Sequence, residues 1–274
     1  MTRLKHLPLL ALVAAASAVA WPLEAADGVL IVEKTTTGGK SETHQIQIEK
    51  DRMRAETGGL GGGSEKQAVI FDGARQVLWI VNLDKKTYSE MTKADVDRLG
   101  GQMAGAMAQM QEQLKNMPPE QRAQIEAMMR GRGMPTGAPA APAKPEFKRA
   151  GTEKVGKWTC DKYEGFTNNQ KTSEICTVDP KDVGFAAADF EITRQLGEFF
   201  RKLVPQAAEQ MFSFGKPEEQ GFSGFPVKRV TGSGTRQTIS ETTDVSRQNF
   251  PASTFEVPQG FQKEDMFGGR GRGR

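Results

Sequence analysis

The chain has 274 residues, and its 37 basic and 34 acidic side chains leave a formal charge of only +3. A charge this small does not point to nucleic acid as a partner, and we expect none. The length allows one large domain or two small ones.

The N-terminus has the layout of a secretory signal peptide. Basic residues precede the apolar run 7–23, and small residues follow from Ala25 onward. We therefore predict that residues 1–25 are removed after export, with cleavage after Ala25, and that the mature chain is periplasmic. A membrane anchor is the alternative, but Pro8 and Pro22 make the run a weak spanning segment. No later stretch approaches the roughly 20 apolar residues that a membrane span needs.

Residues 27–91 have the pattern of consecutive β-strands. Ile46 and Ile48 alternate with polar residues, which places them on one face of a strand. Two apolar runs are joined at Asp72-Gly73, a pair typical of hairpin turns. The segment therefore predicts an antiparallel meander.

Residues 93–130 predict a helical arm. Apolar residues recur there at three- and four-residue steps, which forms one stripe on a helix. The stripe consists of Val96, Leu99, Met103, Met107, Met110 and Leu114. A second short helix is predicted after Pro118, and residues 131–146 form a Pro/Ala/Gly linker that cannot build a core.

Strands return after the linker, and a further helix is predicted over 183–203, where apolar residues again share one face. We predict a single α+β domain over 26–267, since the strands on either side of the arm are too few for two good cores. Residues 268–274 are Gly and Arg alone and predict a disordered tail.

Catalytic motifs are not recognisable in the sequence. The predicted mature chain has one histidine, His44, which lies near the start of a strand and has no evident nucleophile partner. Gly39-Lys40-Ser41 resembles part of a phosphate loop, but Lys34 stands where the motif needs glycine, and a strand follows instead of a helix. We therefore predict a protein that is not an enzyme and has no cofactor.

Methionines are concentrated in the helical arm and the segment after it: seven of the twelve fall between residues 103 and 134. Methionine is an adaptable core residue and a permissive contact surface, so packing or partner contact is the preferred interpretation. Thioethers also bind Cu(I), which is the less favoured alternative. Two cysteines and one histidine without close spacing predict no zinc site.

The two cysteines, Cys160 and Cys176, are too far apart in sequence for a C-x-x-C redox motif. In an oxidising compartment such a pair usually bridges, so we predict a disulfide. If the two residues lie directly opposite each other in a hairpin, its turn centres on Asn168. The same register places two further pairs opposite each other, Trp158 with Val178 and Lys162 with Glu174.

Two segments resemble bacterial outer-membrane lipoprotein carrier proteins: VIFDGARQVLWIVNLDKKTYSEM and STFEVPQGFQKED. Residues 27–265 are more similar still to the exported bacterial family called domain of unknown function 4412, which combines such strands with a Met- and Gln-rich helical insert and a Trp-x-Cys hairpin. The resemblance implies a curved, mostly antiparallel half-barrel sheet, covered by helices over an apolar cavity. The helix 183–203 and the arm 93–130 would then cover its concave face.

These patterns favour a non-enzymatic periplasmic binding module for an apolar ligand: an acyl chain, a lipoprotein or a hydrophobic peptide. The candidate contacts are large apolar side chains that could equally be core residues. They are Trp79, Tyr88, Met103, Met107, Met110 and Trp158. The alternative is an envelope structural or stress-related protein that docks a partner through the helical arm.

Overall fold

The computed structural model describes residues 27–57, 65–118, 120–121, 145–203 and 221–266. The predicted signal peptide, the Gly/Arg tail, nearly all of the linker and the end of the helical arm therefore lie outside the described residues. None of the described helices is long and apolar enough to cross a membrane.

Within the described residues, twelve strands form one sheet. They are β1 (Gly28–Thr37), β2 (Lys40–Ile48), β3 (Arg52–Thr57), β4 (Gln67–Asp72), β5 (Val77–Asn82), β6 (Thr87–Thr92), β7 (Glu146–Val155), β8 (Trp158–Thr167), β9 (Gln170–Val178), β10 (Phe225–Thr231), β11 (Thr238–Gln248) and β12 (Gln262–Lys263). Their spatial order is β12-β6-β5-β4-β3-β2-β1-β11-β10-β9-β8-β7.

The sheet is curved, unclosed and mostly antiparallel. Among the described strands, only the short β12 pairs in parallel, with β6. β1 lies in the middle, because it pairs with β2 on one side and with β11 on the other, and so joins the first six strands to the later ones. The predicted α+β half-barrel covered by helices is confirmed.

The predicted hairpin at Asp72-Gly73 is present, with a four-residue turn between β4 and β5. The Asp72 carboxylate accepts hydrogen bonds from the backbone and side chain of Arg75, at 2.8 and 2.6 Å. A Cβ on Gly73 would lie 3.1 Å from Cδ1 of Ile192. Because residue 73 is glycine, this turn can lie close to the helix that carries Ile192.

The sheet has a packed core on each face, because successive residues of a strand point to opposite sides. On β5, Leu78 belongs to the larger core and Trp79 to the smaller one. The face of the larger core, here the inner face, carries the helix α2 (Glu191–Phe200). The other, here the back face, is covered by the segment 250–261, whose Phe255 is fully buried.

The arm helix α1 (Lys93–Asn116) begins where the sequence predicts it, and its first two turns are fixed to the body. Val96 is fully buried in the inner-face core. The Asp97 carboxylate pairs with Lys93 and, at 2.9 Å, with Lys202 beyond α2. Gly100 packs so closely that an added Cβ would lie 2.9 Å from the Lys202 carbonyl oxygen.

Beyond Gly100 the structure differs from the expectation that the arm covers the concave face. From Gly101 to Gln113, the described side chains of α1 are exposed or half-buried, and the next buried one is Leu114. Of the apolar stripe, Val96 joins the inner-face core and Leu114 is also buried, whereas the described residues between Gly100 and Leu114 are not.

Acid should weaken the start of α1. Thr92 donates hydrogen bonds to the Asp95 carboxylate from its hydroxyl at 2.7 Å and its backbone amide at 3.1 Å. These bonds, with a further one from Arg98, lower the pKa of Asp95 to about 2. Because the folded pKa lies below the unfolded one, this stabilisation is present above about pH 4 and is lost as pH falls through about 2.

The measurement is an acid titration of the Thr92 and Asp95 backbone amide signals by NMR. We expect a midpoint near pH 2 in the wild type and no transition there in Asp95→Asn, which accepts hydrogen bonds but does not titrate. Since the carboxylate is partly exposed, the cost of losing the cap should be at most about 1 kcal/mol. A wild-type midpoint near the unperturbed value of about 4 would contradict the capping role.

Candidate functional site

A cavity of about 230 Å³ lies between α2 and the inner face of the sheet. It is open to solvent on one side, and most of its surface is apolar. Five strands supply its floor, β1, β2, β3, β10 and β11, and α2 with the turn before it supplies its roof. The apolar walls include Ile31, Ile46, Leu196, Phe185, Phe225 and Val227.

The roof forms because α2 is strongly amphipathic. Ile192, Leu196 and Phe199 recur at three- and four-residue spacing, and all are buried. Ahead of the helix, the Phe185 ring lies 5.3 Å from that of Phe190 and 4.8 Å from that of Phe225 on β10. Aromatic contact therefore connects the turn before α2 to the sheet on this side of the cavity.

A charged clamp also holds this turn against the sheet. Arg247 on β11 donates to both carboxylate oxygens of Asp189, at 3.0 and 2.5 Å, and to the Gly184 carbonyl oxygen at 2.9 Å. Asp189 also accepts a bond from the Ala186 amide at 2.6 Å. A bidentate contact of this kind sets the orientation of the two side chains as well as their distance. It therefore holds the turn before α2 in place over the cavity.

One end of the cavity is polar. Glu33 on β1, Arg229 on β10, and Ser240 and Thr242 on β11 line it there. Burial lowers the pKa of the Arg229 guanidinium, while the nearby Glu33 carboxylate acts in the opposite direction. The cavity thus joins an apolar interior to a small polar end that contains both charge signs.

None of the six predicted ligand contacts lines this cavity. Trp79 and Tyr88 belong to the back-face core, on the other side of the sheet. The Trp79 indole donates to Glu90 at 3.0 Å, and the Arg75 guanidinium lies 5.0 Å from its ring centroid. These contacts make Trp79 a core residue with a satisfied polar group.

The other four lie elsewhere. Trp158 is buried in the inner-face core, in the part formed by β7 and β8. Met103, Met107 and Met110 lie on α1 beyond Gly100, where that helix leaves the core. The six residues therefore occupy two faces of the sheet and an arm.

Sequence reasoning missed most of the cavity. It found the alternation of Ile46 and Ile48 and the stripe of α2, which do meet here. It could not bring Phe225 and Val227 beside them, because that requires β10 and β11 to pair next to β1, about 200 residues away along the chain. No local pattern encodes such a pairing.

Cys160 and Cys176 form the expected disulfide, with a Cα–Cα distance of 5.5 Å. The predicted register is wrong, because Lys162 lies opposite Cys176 and Glu164 lies opposite Glu174. The hairpin turn contains two residues, Asn168 and Asn169, both with positive φ, and a bulge follows at Gly165/Phe166. Each of these two features shifts the pairing by one position, so the disulfide joins diagonal neighbours.

The two further pairs of that register are also wrong as directly opposed residues. Trp158 pairs with Val155 on β7, and Val178 pairs with Phe225. Lys162 and Glu174 do meet, but as a diagonal ion pair at 2.9 Å. Glu174 also pairs with Lys171, and the hydrogen bonds from the two lysines lower its pKa.

Fold and site together define an α+β half-barrel protein with an apolar cavity under a clamped helix. The family described as "Domain of unknown function (DUF4412)" matches residues 96–261, more than half of the chain. The chain belongs to this family.

No protein with a curated description matches the sequence. Among solved structures, an uncharacterized conserved protein from Thermus thermophilus is similar at 7% identity over 88% of this chain and 91% of that chain, with a TM-score of 0.42. The Pseudomonas aeruginosa MucA/MucB complex gives 12% identity over 84% and 55%, with a TM-score of 0.34. A DUF1329 family protein from Desulfovibrio piger gives 9% identity over 85% and 91%, with a TM-score of 0.22. These TM-scores are low, so the fold assignment depends on the strand order and pairing described above.

Proposed function

We propose that this protein is an exported, non-enzymatic binding module that takes an apolar chain or segment into the cavity under α2. The main support for this proposal is the cavity itself, whose surface is mostly apolar although it opens to solvent. When an apolar ligand displaces water from such a surface, the free energy of the system falls, which favours binding.

The size of the cavity limits the ligand. Its volume of about 230 Å³ is below the roughly 300–1,000 Å³ of drug-sized ligand pockets. It therefore suits one acyl chain end or one hydrophobic side-chain cluster better than an entire lipid. Since one side is open, a longer ligand can leave its remainder in solvent.

Three of the polar groups at the cavity hold the structure together, which favours binding over catalysis. Asp189 is paired with Arg247, the Ser240 hydroxyl lies 3.0 Å from that of Thr35, and the Thr193 hydroxyl donates to the Phe190 carbonyl oxygen at 2.7 Å. Export is supported by the predicted signal peptide and by the disulfide, since structural disulfides persist in oxidising compartments.

Filling the cavity tests this function. Thr193 is half-buried on the cavity side of α2, so Thr193→Trp should place an indole in the ligand's volume. We expect it to weaken binding of a fluorescent fatty-acyl probe, such as a dansyl-labelled undecanoate, by about tenfold or more, which is 1.4 kcal/mol. The measurement is a fluorescence titration of the purified mature protein.

Glu198→Trp is the matched control, because Glu198 is exposed on the same helix and contacts only Arg194 among the described ion pairs. It adds the same indole away from the cavity and should leave probe affinity unchanged. Thermal melts of both variants show whether the fold is kept. Equal probe affinity in a folded Thr193→Trp variant, or no saturable binding by the wild type, would overturn the proposal.

A further inference from the structure

Three methionines of α1 share one face of the helix. Met103, Met107 and Met110 are spaced by four and three residues, which places consecutive members side by side on the helix surface. At about 1.5 Å of rise per residue, the first and last are about 10.5 Å apart along the axis. The side chains of Met103 and Met110 are long and flexible, so their sulfur atoms can approach that of Met107 between them.

Core packing does not account for these three residues. Among the described residues, neither core cluster includes them, whereas Met53 and Met91 both pack in the inner-face core. Met103 is 55% exposed, and no other large apolar side chain in the described part of the chain is exposed. Methionines on a helix normally cover a core, so burial does not explain Met103, and it explains the half-buried Met107 and Met110 only in part.

The three methionines lie on a fixed support, with Met103 exposed and Met107 and Met110 half-buried. Ala106 lies between Met103 and Met110 on the same face, and its small side chain leaves room above it. The base of α1 is held by the Thr92 cap, by buried Val96 and by the close contact of Gly100 with Lys202. The three thioethers therefore project from a helix whose position is set one turn earlier.

We propose that Met103, Met107 and Met110 bind one soft monovalent cation, Cu(I) or its redox-inert analogue Ag(I). Soft thioether ligands select such ions over harder divalent metals, which prefer imidazole or carboxylate. The described residues hold no group of three or more His, Cys, Asp or Glu side chains that could compete for a divalent ion. The site is separate from the cavity under α2 and does not rest on the function proposed there.

Silver titration with NMR detection tests the site. In mature protein labelled at the methionine methyl groups, substoichiometric Ag(I) should shift the signals of Met103, Met107 and Met110 and saturate at one ion per chain. The triple variant Met103→Leu/Met107→Leu/Met110→Leu should lose this binding. Each single leucine variant should weaken it by about tenfold, since one of three soft ligands is removed.

Leucine is the informative replacement, because it keeps side-chain volume and helix propensity while removing the sulfur. Met91→Leu is the matched control: it removes a buried methionine of the inner-face core and should leave silver binding unchanged. For Cu(I), the protein can compete with a chelator whose Cu(I) complex is coloured, with ascorbate present to keep the copper reduced. The variants should rank in the same order as for Ag(I).

Two outcomes would overturn the proposal. One is a wild-type protein that binds no Ag(I) at low micromolar concentration. The other is a triple variant that binds as well as the wild type, which would place any silver site elsewhere. If the triple variant lost a protein partner while Ag(I) failed to shift the three methyl signals, the face would be an apolar docking surface instead. Fatty-acyl probe binding should be the same in the triple variant, so failure here is distinct from failure of the cavity proposal.

Discussion

Replacing Phe199 with alanine is expected to lower the free energy of unfolding by about 3–5 kcal/mol. Phe199 is only 1% exposed, and its ring makes edge contacts with Phe71 on β4 and with Phe200, each at 5.3 Å between centroids. The substitution removes the apolar surface that joins α2 to the sheet and leaves a space that packed neighbours can only partly fill. Urea unfolding followed by circular dichroism measures the change.

The neighbouring residue supplies the control. Glu198 is exposed, and its ion pair with Arg194 at 2.6 Å lies in solvent, so Glu198→Ala should change stability by at most about 0.5 kcal/mol. A loss of less than about 1.5 kcal/mol in Phe199→Ala would fall below the range for a buried aromatic residue. Such a result would mean that α2 is not packed on the sheet as described, and the cavity beneath it would lose its roof.

Local patterns predicted the elements well where one short segment decides its own structure. The alternation at Ile46 and Ile48 and the turn at Asp72-Gly73 gave the first meander, and the apolar stripe gave a helix that begins at residue 93. The stripe of Ile192, Leu196 and Phe199 gave the buried face of α2. In each case the information lies within about ten consecutive residues.

The start of α2 was predicted too early, at residue 183 instead of Glu191. Gly184 adopts a left-handed φ of 76° and ends a short 3-10 turn over Pro180–Val183. A second short turn, Ala187–Phe190, then leads into the helix. The interruption places Phe185 and Asp189 at the cavity, so the part of the segment that departs from the helical pattern is also the part that builds the site.

The cavity itself was beyond local reasoning, because its walls come from strands that are distant in sequence. The pairing of β1 with β11 sets Glu33 against Thr242, and β10 then brings Arg229 against Ser240. Predicting that arrangement needs the order of strands in the sheet. The large aromatic residues that the sequence made conspicuous, Trp79 and Trp158, are instead buried in the two cores.

The methionine stripe shows a different limit. Its periodicity correctly gave one face of a helix, yet periodicity does not state how much of that face meets a core. Val96 at the base is fully buried and Met103, two turns later, is exposed. Residues of one stripe therefore differ in burial, and the periodicity alone does not show which of them pack.

Removing the disulfide should also have a large effect on stability. We expect Cys160→Ala/Cys176→Ala to lower the free energy of unfolding by about 3 kcal/mol, because the bridge closes a loop of about 15 residues in the unfolded chain. The two residues are 16 apart in sequence, and both side chains are buried in the inner-face core. Paired urea titrations of the oxidised wild type and the double variant measure the difference.

The same measurement on the reduced wild-type protein separates the effect of the cross-link from the effect of sulfur packing in the core. Reduction removes the cross-link but keeps the sulfur atoms in the core, whereas the alanine variant removes both. If chain entropy dominates, the two forms should be destabilised alike; any excess in the alanine variant measures the packing of the sulfurs. Because the bridge joins diagonal neighbours on β8 and β9, the bulge at Gly165/Phe166 and the turn at Asn168-Asn169 set the register that brings the cysteines together. Loss of less than about 1 kcal/mol on reduction would mean that the hairpin and its neighbour β10 already hold this register without the bridge.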